Sequence, residues 1–380
     1  MQTREYLNQL PTHQRSPLTE KLAHRLHLDG PLLAALILIA VYGLFILYSA
    51  GGENMQLITR QGLRFAAGFG AMLFLAQIPP RTWRFWTPAL YAIGLVMLVL
   101  VLVVGTEAKG ATRWLSLPGL GRFQPSELMK IAVPAMVAWY FRERPLPPSL
   151  KDIFLILIAV MVPAVLIFKQ PDLGTAILIA ASGLLVLFLA GLSWRIIGLA
   201  LLIAMVAAPL MYFYVLHDYQ RNRVDTFLSP EADPLGTGWN IIQSKTAIGS
   251  GGLDGKGWLN GTQSRLDFLP ESSTDFIFAV LAEELGLMGI LLLLGLYLFV
   301  IGRGLWISLQ TRDVYARLLG GSLTLTFFIY VFVNIGMVSG LLPVVGVPLP
   351  LVSYGGTSIV TLLAGFGILM SIHTHRRLLG

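Results

Sequence analysis

Ten charged side chains within or beside long apolar segments are the residues of this sequence best suited to do chemistry. A charge inside lipid costs about 2.5–3.5 kcal/mol on insertion scales, so such a residue usually serves a function or is paired. The ten come from distant segments, yet in the span assignment given below all fall at or near one face of a membrane, which predicts a polar site there. The alternative for each is an ion pair that only joins two helices. The ten are Lys109, Arg113, Arg122, Glu127, Lys130, Lys169, Asp172, Asp275, Glu283 and Glu284.

Asp275 is the strongest candidate for a catalytic group. It directly precedes the apolar run 276–282, which predicts a position where a membrane helix meets the outer water. A carboxylate there can act as a general base toward a hydroxyl; the alternative is that it only caps the helix N-terminus. Glu283 is eight residues further, about 12 Å along a helix and roughly 80° round it, so we expect a supporting or structural role for it.

Lys130 and Asp172 are placed at the outer ends of adjacent apolar segments. An ion pair between them would offset two insertion costs at once. The sequence therefore predicts a structural Lys130–Asp172 pair.

The glycine-rich stretch 249–257 fits neither common nucleotide motif. Ser250 stands where the P-loop pattern requires glycine, Gly257 stands where it requires Ser or Thr, and Asp254 breaks the pattern G-x-G-x-x-G. We therefore expect no nucleotide site. Backbone N–H groups of this stretch, together with Lys256, would still be able to approach a pyrophosphate.

Composition predicts that these residues belong to a membrane protein. Of 380 residues, 55% are hydrophobic and 12% charged, and the mean hydropathy is +0.72, whereas soluble domains carry about 25% charged residues. The net charge of +7 is explained by Lys and Arg in cytoplasmic loops, so no nucleic acid partner is expected. With no cysteine and no third ligand beside His373 and His375, metal ligands cannot be identified.

The apolar runs predict an all-α integral membrane fold of about ten transmembrane helices. Both termini are expected in the cytoplasm, because the short loops on that side are rich in Arg and Lys. We expect a cytoplasmic N-terminal segment at 1–30 with no cleaved signal, a membrane domain at 31–372 and a cytoplasmic tail at 373–380. A large extracytoplasmic loop, 217–275, joins the seventh and eighth spans. The predicted spans are 31–49, 62–79, 86–105, 127–141, 152–168, 173–192, 196–216, 276–302, 318–340 and 349–372.

Eleven short motifs resemble those of the SEDS family (shape, elongation, division and sporulation proteins), in the same order along the chain. Lys245 and the stretch 261–263 favour the elongation branch over the division branch. The motifs are 122–127 (RFQPSE), 170–175 (QPDLGT), 217–221 (HDYQR), 233–236 (DPLG), 243–245 (QSK), 247–252 (AIGSGG), 261–263 (GTQ), 268–271 (FLPE), 274–278 (TDFIF), 282–286 (AEELG) and 348–356 (PLPLVSYGG).

The resemblance implies an enzyme of the cytoplasmic membrane that polymerises lipid II into glycan strands at its outer face. The essential carboxylate of the family falls on Asp275, and its other conserved charges fall on Glu127, Lys130 and Asp172. Relatives often have histidine before the Thr-Asp pair, where this chain has Ser273, so a histidine is not generally needed to orient the carboxylate.

The implied reaction expels a lipid pyrophosphate, which calls for cations. Arg113, Arg122, Lys256 and Arg265 are available, with Glu127 as a further candidate for substrate binding. A divalent cation, Mg²⁺ or Mn²⁺, could also serve. The resemblance further implies a class B penicillin-binding protein as partner.

Two other functions remain open from the residues alone. A flippase for lipid II would need a charged path to the cytoplasmic face, whereas these charges gather on the outer side. A non-catalytic scaffold of the cell-wall machinery would leave Asp275 dispensable.

Overall fold

The computed structural model describes residues 27–108, 111–117, 121–216, 218–229, 237–265, 269 and 271–375. Within them, a helix lies at each of the ten predicted spans. Three shorter helices lie between the seventh and the eighth: α8 (Asp218–Leu228), α9 (Thr237–Gly251) and α10 (Thr262–Arg265). The ten long helices are α1 (Gly30–Ala50), α2 (Met55–Ala76), α3 (Pro80–Val104), α4 (Pro125–Phe141), α5 (Leu150–Phe168), α6 (Leu173–Leu189), α7 (Trp194–Tyr214), α11 (Ile277–Leu309), α12 (Val314–Val338) and α13 (Thr357–His375).

Seven of these helices are long and apolar enough to cross a membrane: α1, α3, α5, α7, α11, α12 and α13. The other three depart from that pattern for visible reasons. Helix α2 carries Arg60 and Arg64, α4 has 17 residues including Glu127 and Lys130, and α6 is apolar but also has 17 residues. The predicted all-helical, multi-span membrane fold is confirmed.

Apolar side chains on the outer helices face away from the protein. Helix α7 buries none of its 21 residues, and Met205 and Phe213 are 72% and 65% exposed. Exposing such an apolar surface to water would be energetically unfavourable, so this surface must face lipid. By contrast, α12 and α13 are the most buried of the apolar helices and form the centre of the bundle. There α13 packs against α2, and α11 packs against α1 and α12.

The two ends of the bundle differ. At the N-terminal end, where α1 begins, the buried Asp29 caps α1 and accepts hydrogen bonds from Arg303 Nε and Nη2 at 3.1 and 2.7 Å. At the opposite end, which we call the loop end, lie α8 to α10 and a small sheet. The loop end carries the residues that the sequence singled out.

The sheet at the loop end was not predicted. Its three antiparallel strands, in the order β1-β2-β3, connect α3 to α4, and Thr106 pairs with Trp114 and Leu115 with Phe123. The sheet places Arg113 beside the start of α6. The strands are β1 (Thr106–Ala108), β2 (Ala111–Leu117) and β3 (Gly121–Phe123).

Two predicted boundaries differ from the structure. The last helix begins at Thr357 rather than at 349, because residues 349–356 form turns in which Leu351 has a φ of 59°. The eighth helix extends to Leu309 and is interrupted at Gly286, whose φ of 61° and ψ of −159° are not helical. The turns at 349–356 lie beside Asp275, since Tyr354 N donates to Ser273 O.

Candidate active site at the loop end

Asp275 lies half-buried in a turn just before α11. The alternative of a helix cap is wrong, because α11 begins at Ile277 with Phe276 as its N-cap residue and no side chain caps it. Gly346 faces the carboxylate: a β-carbon there would lie 3.5 Å from Asp275 Oδ2, and its φ is +73°. Glycine adopts this positive φ, which side chains rarely do, and it places only backbone atoms against the carboxylate.

The peptide around Asp275 is held by the segment 348–356, which joins α12 to α13. Ser353 Oγ donates a hydrogen bond of 2.5 Å to Thr274 O, and Tyr354 N donates one of 2.9 Å to Ser273 O. Ser353 Oγ also accepts a hydrogen bond from Leu349 N at 2.8 Å, which closes the turn. The two motifs of the chain that contain 274–278 and 348–356 therefore form one unit.

Helix α2 supports the same segment through two polar side chains that the sequence reasoning missed. The fully buried Gln61 donates from Nε2 to Ser353 O at 3.0 Å. Arg64 donates to Gly355 O at 3.3 Å, and its guanidinium lies 4.2 Å from the ring centroid of Tyr354. Arg64 is a charge within a predicted span, and that cost alone could have identified it.

The interruption of α11 is closed by the stretch 251–257. A broken helix leaves carbonyl and N–H groups without helical partners. Here Lys256 N and Gly257 N donate to Glu283 O and Glu284 O at 3.0 and 2.9 Å. On the far side of the break, Leu287 N donates to the carbonyl of residue 252 at 3.0 Å. We expected backbone N–H groups of this stretch to be able to approach a pyrophosphate. For Lys256 and Gly257 this is wrong, because their N–H groups donate to carbonyl groups of α11.

Glu283 and Glu284 attach the loop to α11 by their side chains as well. The fully buried Glu283 accepts from Lys256 Nζ at 2.6 Å, from Thr262 N at 2.9 Å and from Gln263 N at 3.2 Å. Glu284 accepts from Ser49 Oγ on α1. Lys256 therefore has its charge balanced inside the protein, and its role toward a substrate stays a prediction.

The predicted Lys130–Asp172 ion pair is wrong. Lys130 pairs with Glu127 at 2.7 Å, one turn away on α4, where two side chains three residues apart face each other. Asp172 instead caps α6 by accepting from Thr175 N at 3.3 Å, and it lies 3.6 Å from Arg113 Nε. Each of the two charges is therefore paired, but with a partner other than the predicted one.

Arg113 and Asp172 lie on the other side of the segment that faces Asp275. Arg113 Nη2 donates to Pro171 O at the start of α6. Gly174, in the first turn of α6, lies so close to Val345 that a β-carbon would be 2.7 Å from Val345 O. Because Val345 adjoins Gly346, the structure brings Asp275 and the pair Arg113–Asp172 to the same short segment.

Some predicted site residues lie outside the described part of the chain. These are Lys109 and the side chains of Arg122 and Arg265. The residues 1–26, 217, 230–236 and 376–380, which include most of the predicted terminal segments, also lie outside it. Among the described residues, no group of three His, Asp or Glu side chains could hold a metal ion. The divalent cation stays a prediction.

Breaking the Glu127–Lys130 pair is expected to destabilise the protein. Both side chains are nearly buried, at 6% and 11% exposure, so Lys130→Ala leaves an uncompensated carboxylate in a low-dielectric environment. We expect a loss of about 3–5 kcal/mol in the free energy of unfolding. The double variant Lys130→Ala with Glu127→Ala should lose less, and denaturation in mixed micelles measures both. Equal stability of Lys130→Ala and the unaltered protein would contradict the pairing.

These features define an integral membrane protein with a half-buried carboxylate and a cation–carboxylate pair grouped at one face of the bilayer. The cell cycle protein family of FtsW, RodA and SpoVE matches residues 30–378. The chain belongs to this family.

Two members of the family show which branch the chain resembles more. The chain is 56% identical over 355 residues to the peptidoglycan glycosyltransferase MrdB of Escherichia coli K12, covering 93% of this chain and 96% of that one. It is 36% identical over 357 residues to a probable peptidoglycan glycosyltransferase FtsW of Trichlorobacter lovleyi, covering 90% and 92%. The elongation branch predicted from Lys245 and 261–263 agrees with the higher identity to MrdB.

Solved structures give the same fold. A chain from a peptidoglycan synthase complex superposes with a TM-score of 0.81 at 31% identity, covering 92% of this chain and 98% of that one. The rod shape determining protein RodA of Thermus thermophilus superposes with a TM-score of 0.69 at 30% identity, covering 92% and 97%. This protein is a peptidoglycan glycosyltransferase, as the motifs predicted.

Proposed function

We propose that the chain polymerises lipid II at the outer face of the cytoplasmic membrane, with Asp275 as the general base. The carboxylate accepts the proton of the acceptor sugar's 4-hydroxyl while that oxygen bonds to C1 of the donor sugar. The bond from C1 to the lipid pyrophosphate breaks, and the pyrophosphate leaves with the electron pair. A positioned base typically contributes 10²–10⁴-fold to such a step.

The observation that carries this proposal is the setting of Asp275. Its peptide is bonded to the segment 348–356 on one side, and its carboxylate faces a glycine rather than a side chain. A group that served only to stabilise a helix would cap it, and Asp275 does not. A carboxylate on a fixed backbone at the end of a membrane helix is what a base needs to meet a hydroxyl.

Positive charge for the leaving pyrophosphate is proposed to come from Arg113, with Arg122 and Arg265 as further candidates. Arg113 is about one-third exposed, so part of its guanidinium can reach a ligand while Asp172 orients it. Arginine suits this role because its planar group binds phosphate oxygens in pairs. Glu127 is paired with Lys130, so its role in substrate binding remains a prediction.

The experiment is glycan synthesis from labelled lipid II by the purified chain together with a class B penicillin-binding protein. That partner is proposed from the motifs and is supported by the likeness to a chain of a peptidoglycan synthase complex. Lipid-linked glycan strands longer than one disaccharide are the expected product. Failure to form any strand with the folded, partner-bound protein would overturn the proposal.

The outer placement of the loop end can be tested directly because the chain has no cysteine. We expect a membrane-impermeant maleimide to label Asn260→Cys, at the loop end, in intact spheroplasts. Glu143→Cys, at the N-terminal end with a 77% exposed side chain, should react only after permeabilisation. The reverse labelling pattern would place Asp275 on the cytoplasmic side and exclude the proposed reaction.

A further inference from the structure

Asn334, on α12, bonds directly to the peptide of Asp275. Its side-chain Nδ2 donates to Asp275 O at 2.9 Å and to Val347 O at 2.7 Å. Asn334 is fully buried, 59 residues from Asp275 in sequence and 13 from Val347. One amide group therefore ties the residue that carries the carboxylate to the segment that faces it.

The chemistry of this contact requires an amide. A side-chain –NH₂ offers two hydrogens on one nitrogen, so it can serve two carbonyl oxygens at once. A hydroxyl has one hydrogen, and an ionised carboxylate has none. Because Gly346 adjoins Val347 in the chain and faces the carboxylate, the two bonds hold Asp275 at a fixed distance from this segment.

The oxygen of the same amide reduces what Asn334 contributes to stability. Asn334 Oδ1 is buried and has no hydrogen-bond partner within the described chain. A buried polar atom without a partner costs roughly 1–3 kcal/mol, which offsets much of what the two hydrogen bonds of Nδ2 contribute to stability. A buried amide near the C-terminal end of the apolar helix α12, bonded to the peptide of Asp275, indicates a role in function.

We infer that Asn334 is a positioning residue that holds Asp275 at its reacting distance through the carbonyl groups of residues 275 and 347. This inference rests on the proposed role of Asp275 as the base. Both hydrogen bonds of Asn334 go to backbone carbonyl groups of the site, so its loss changes where the carboxylate stands and leaves the substrate-binding cations in place. A displacement of about 1 Å in such a group lowers the rate about 100-fold.

The test measures kcat and KM for labelled lipid II with the purified chain and its class B penicillin-binding protein. For Asn334→Ala we expect kcat to fall about 100-fold, with KM within about threefold of the unaltered protein. Asn334→Asp keeps the volume of the side chain and, as a neutral acid, keeps one hydrogen-bond donor. Its kcat should lie between those of the unaltered protein and Asn334→Ala. In an Asp275→Ala background, Asn334→Ala should cause no further loss.

Ser322→Ala is the matched control. Ser322 is also fully buried on α12 and donates to Ser182 O at 2.9 Å, but it lies twelve residues, about 18 Å, from Asn334. Its loss removes a helix-to-helix hydrogen bond of similar kind and should leave kcat unchanged. If Asn334→Ala does not fold, Asn334→Asp decides by the same criteria.

Two outcomes overturn the inference. An Asn334→Ala variant as active as Ser322→Ala, or one with raised KM and unchanged kcat, shows that the amide does not position the base. If Asp275→Ala is inactive and Asn334→Ala is fully active, the positioning role of Asn334 is excluded while Asp275 remains the proposed base. An active Asp275→Ala removes the proposed base, and the inference with it.

Discussion

Replacing Asp275 by alanine is expected to lower the rate of glycan formation about a thousandfold while the protein stays folded. The expected loss follows from the contribution of a positioned general base, 10²–10⁴-fold. The loss of stability should be smaller than for a fully buried charge, because the side chain is half-buried and Phe276, not Asp275, is the N-cap residue of α11. The neighbouring backbone bonds from Ser353 and Tyr354 do not use the carboxylate and should persist.

Two further substitutions at position 275 distinguish the need for a proton acceptor from the need for a side chain of this size. Asp275→Asn keeps the size of the side chain but cannot accept a proton at the reacting atom, so it should be as inactive as alanine. Asp275→Glu keeps the acid and moves it by one methylene, so partial activity is expected because positioning is lost and basicity is kept. Asp254→Asn, at an exposed acid of the same end, is the control and should retain full activity.

The measurement is the initial rate of strand formation from labelled lipid II, with unfolding temperature and partner binding recorded for each variant. A folded, partner-bound Asp275→Asn that retains more than about a tenth of the rate would exclude Asp275 as the base. A loss of less than about tenfold is smaller than the 10²-fold that a general base contributes at the least. Such a result would shift attention to the other carboxylates of the loop end, Asp172 and Glu127.

The positions of the long helices could be predicted because the bilayer imposes a length and an apolar composition on each span. Asp275 was predictable for the same reason: a charge that opens an apolar run must lie at the membrane surface. The Lys130–Glu127 pair also had a local signal, the spacing of three residues on one helix. The prediction failed there because a distant partner, Asp172, was preferred over a near one.

The contacts that hold Asp275 had no such signal. Ser353 Oγ and Tyr354 N bond to carbonyl groups 79 and 81 residues earlier, and a backbone carbonyl looks the same at every position of a sequence. The sheet around Arg113 was overlooked although Thr, Trp and Leu between glycines favour strands. Partners set by tertiary packing emerge only when the helices are assembled.

Replacing Gly286 by alanine is expected to be among the most destabilising single changes in the chain. At a φ of 61° and a ψ of −159°, the backbone occupies a region that is essentially restricted to glycine. A β-carbon would overlap Gly255 N and lie 2.6 Å from Leu253 O, both in the stretch that closes the break of α11. Backbone strain of about 1–3 kcal/mol adds to this overlap, so a total loss above about 3 kcal/mol is expected.

The same helix offers a matched control in Gly295→Ala. A β-carbon at position 295 meets no atom within 4 Å, and alanine favours a helix over glycine by about 1 kcal/mol. Gly295→Ala should therefore be as stable as the unaltered protein or slightly more so. Denaturation in mixed micelles compares the two variants, and limited proteolysis within 251–263 reports whether the loop has detached from α11.

The two readouts distinguish the role of the glycine from a general intolerance of α11. If the break is fixed by the four groups at residues 256, 257, 283 and 284, Gly286→Ala should expose the loop to protease at a temperature where Gly295→Ala remains resistant. If both variants are equally stable and equally resistant, the break can be straightened at little cost. The loop end would then depend on the side chains of Glu283 and Lys256 rather than on the backbone of α11.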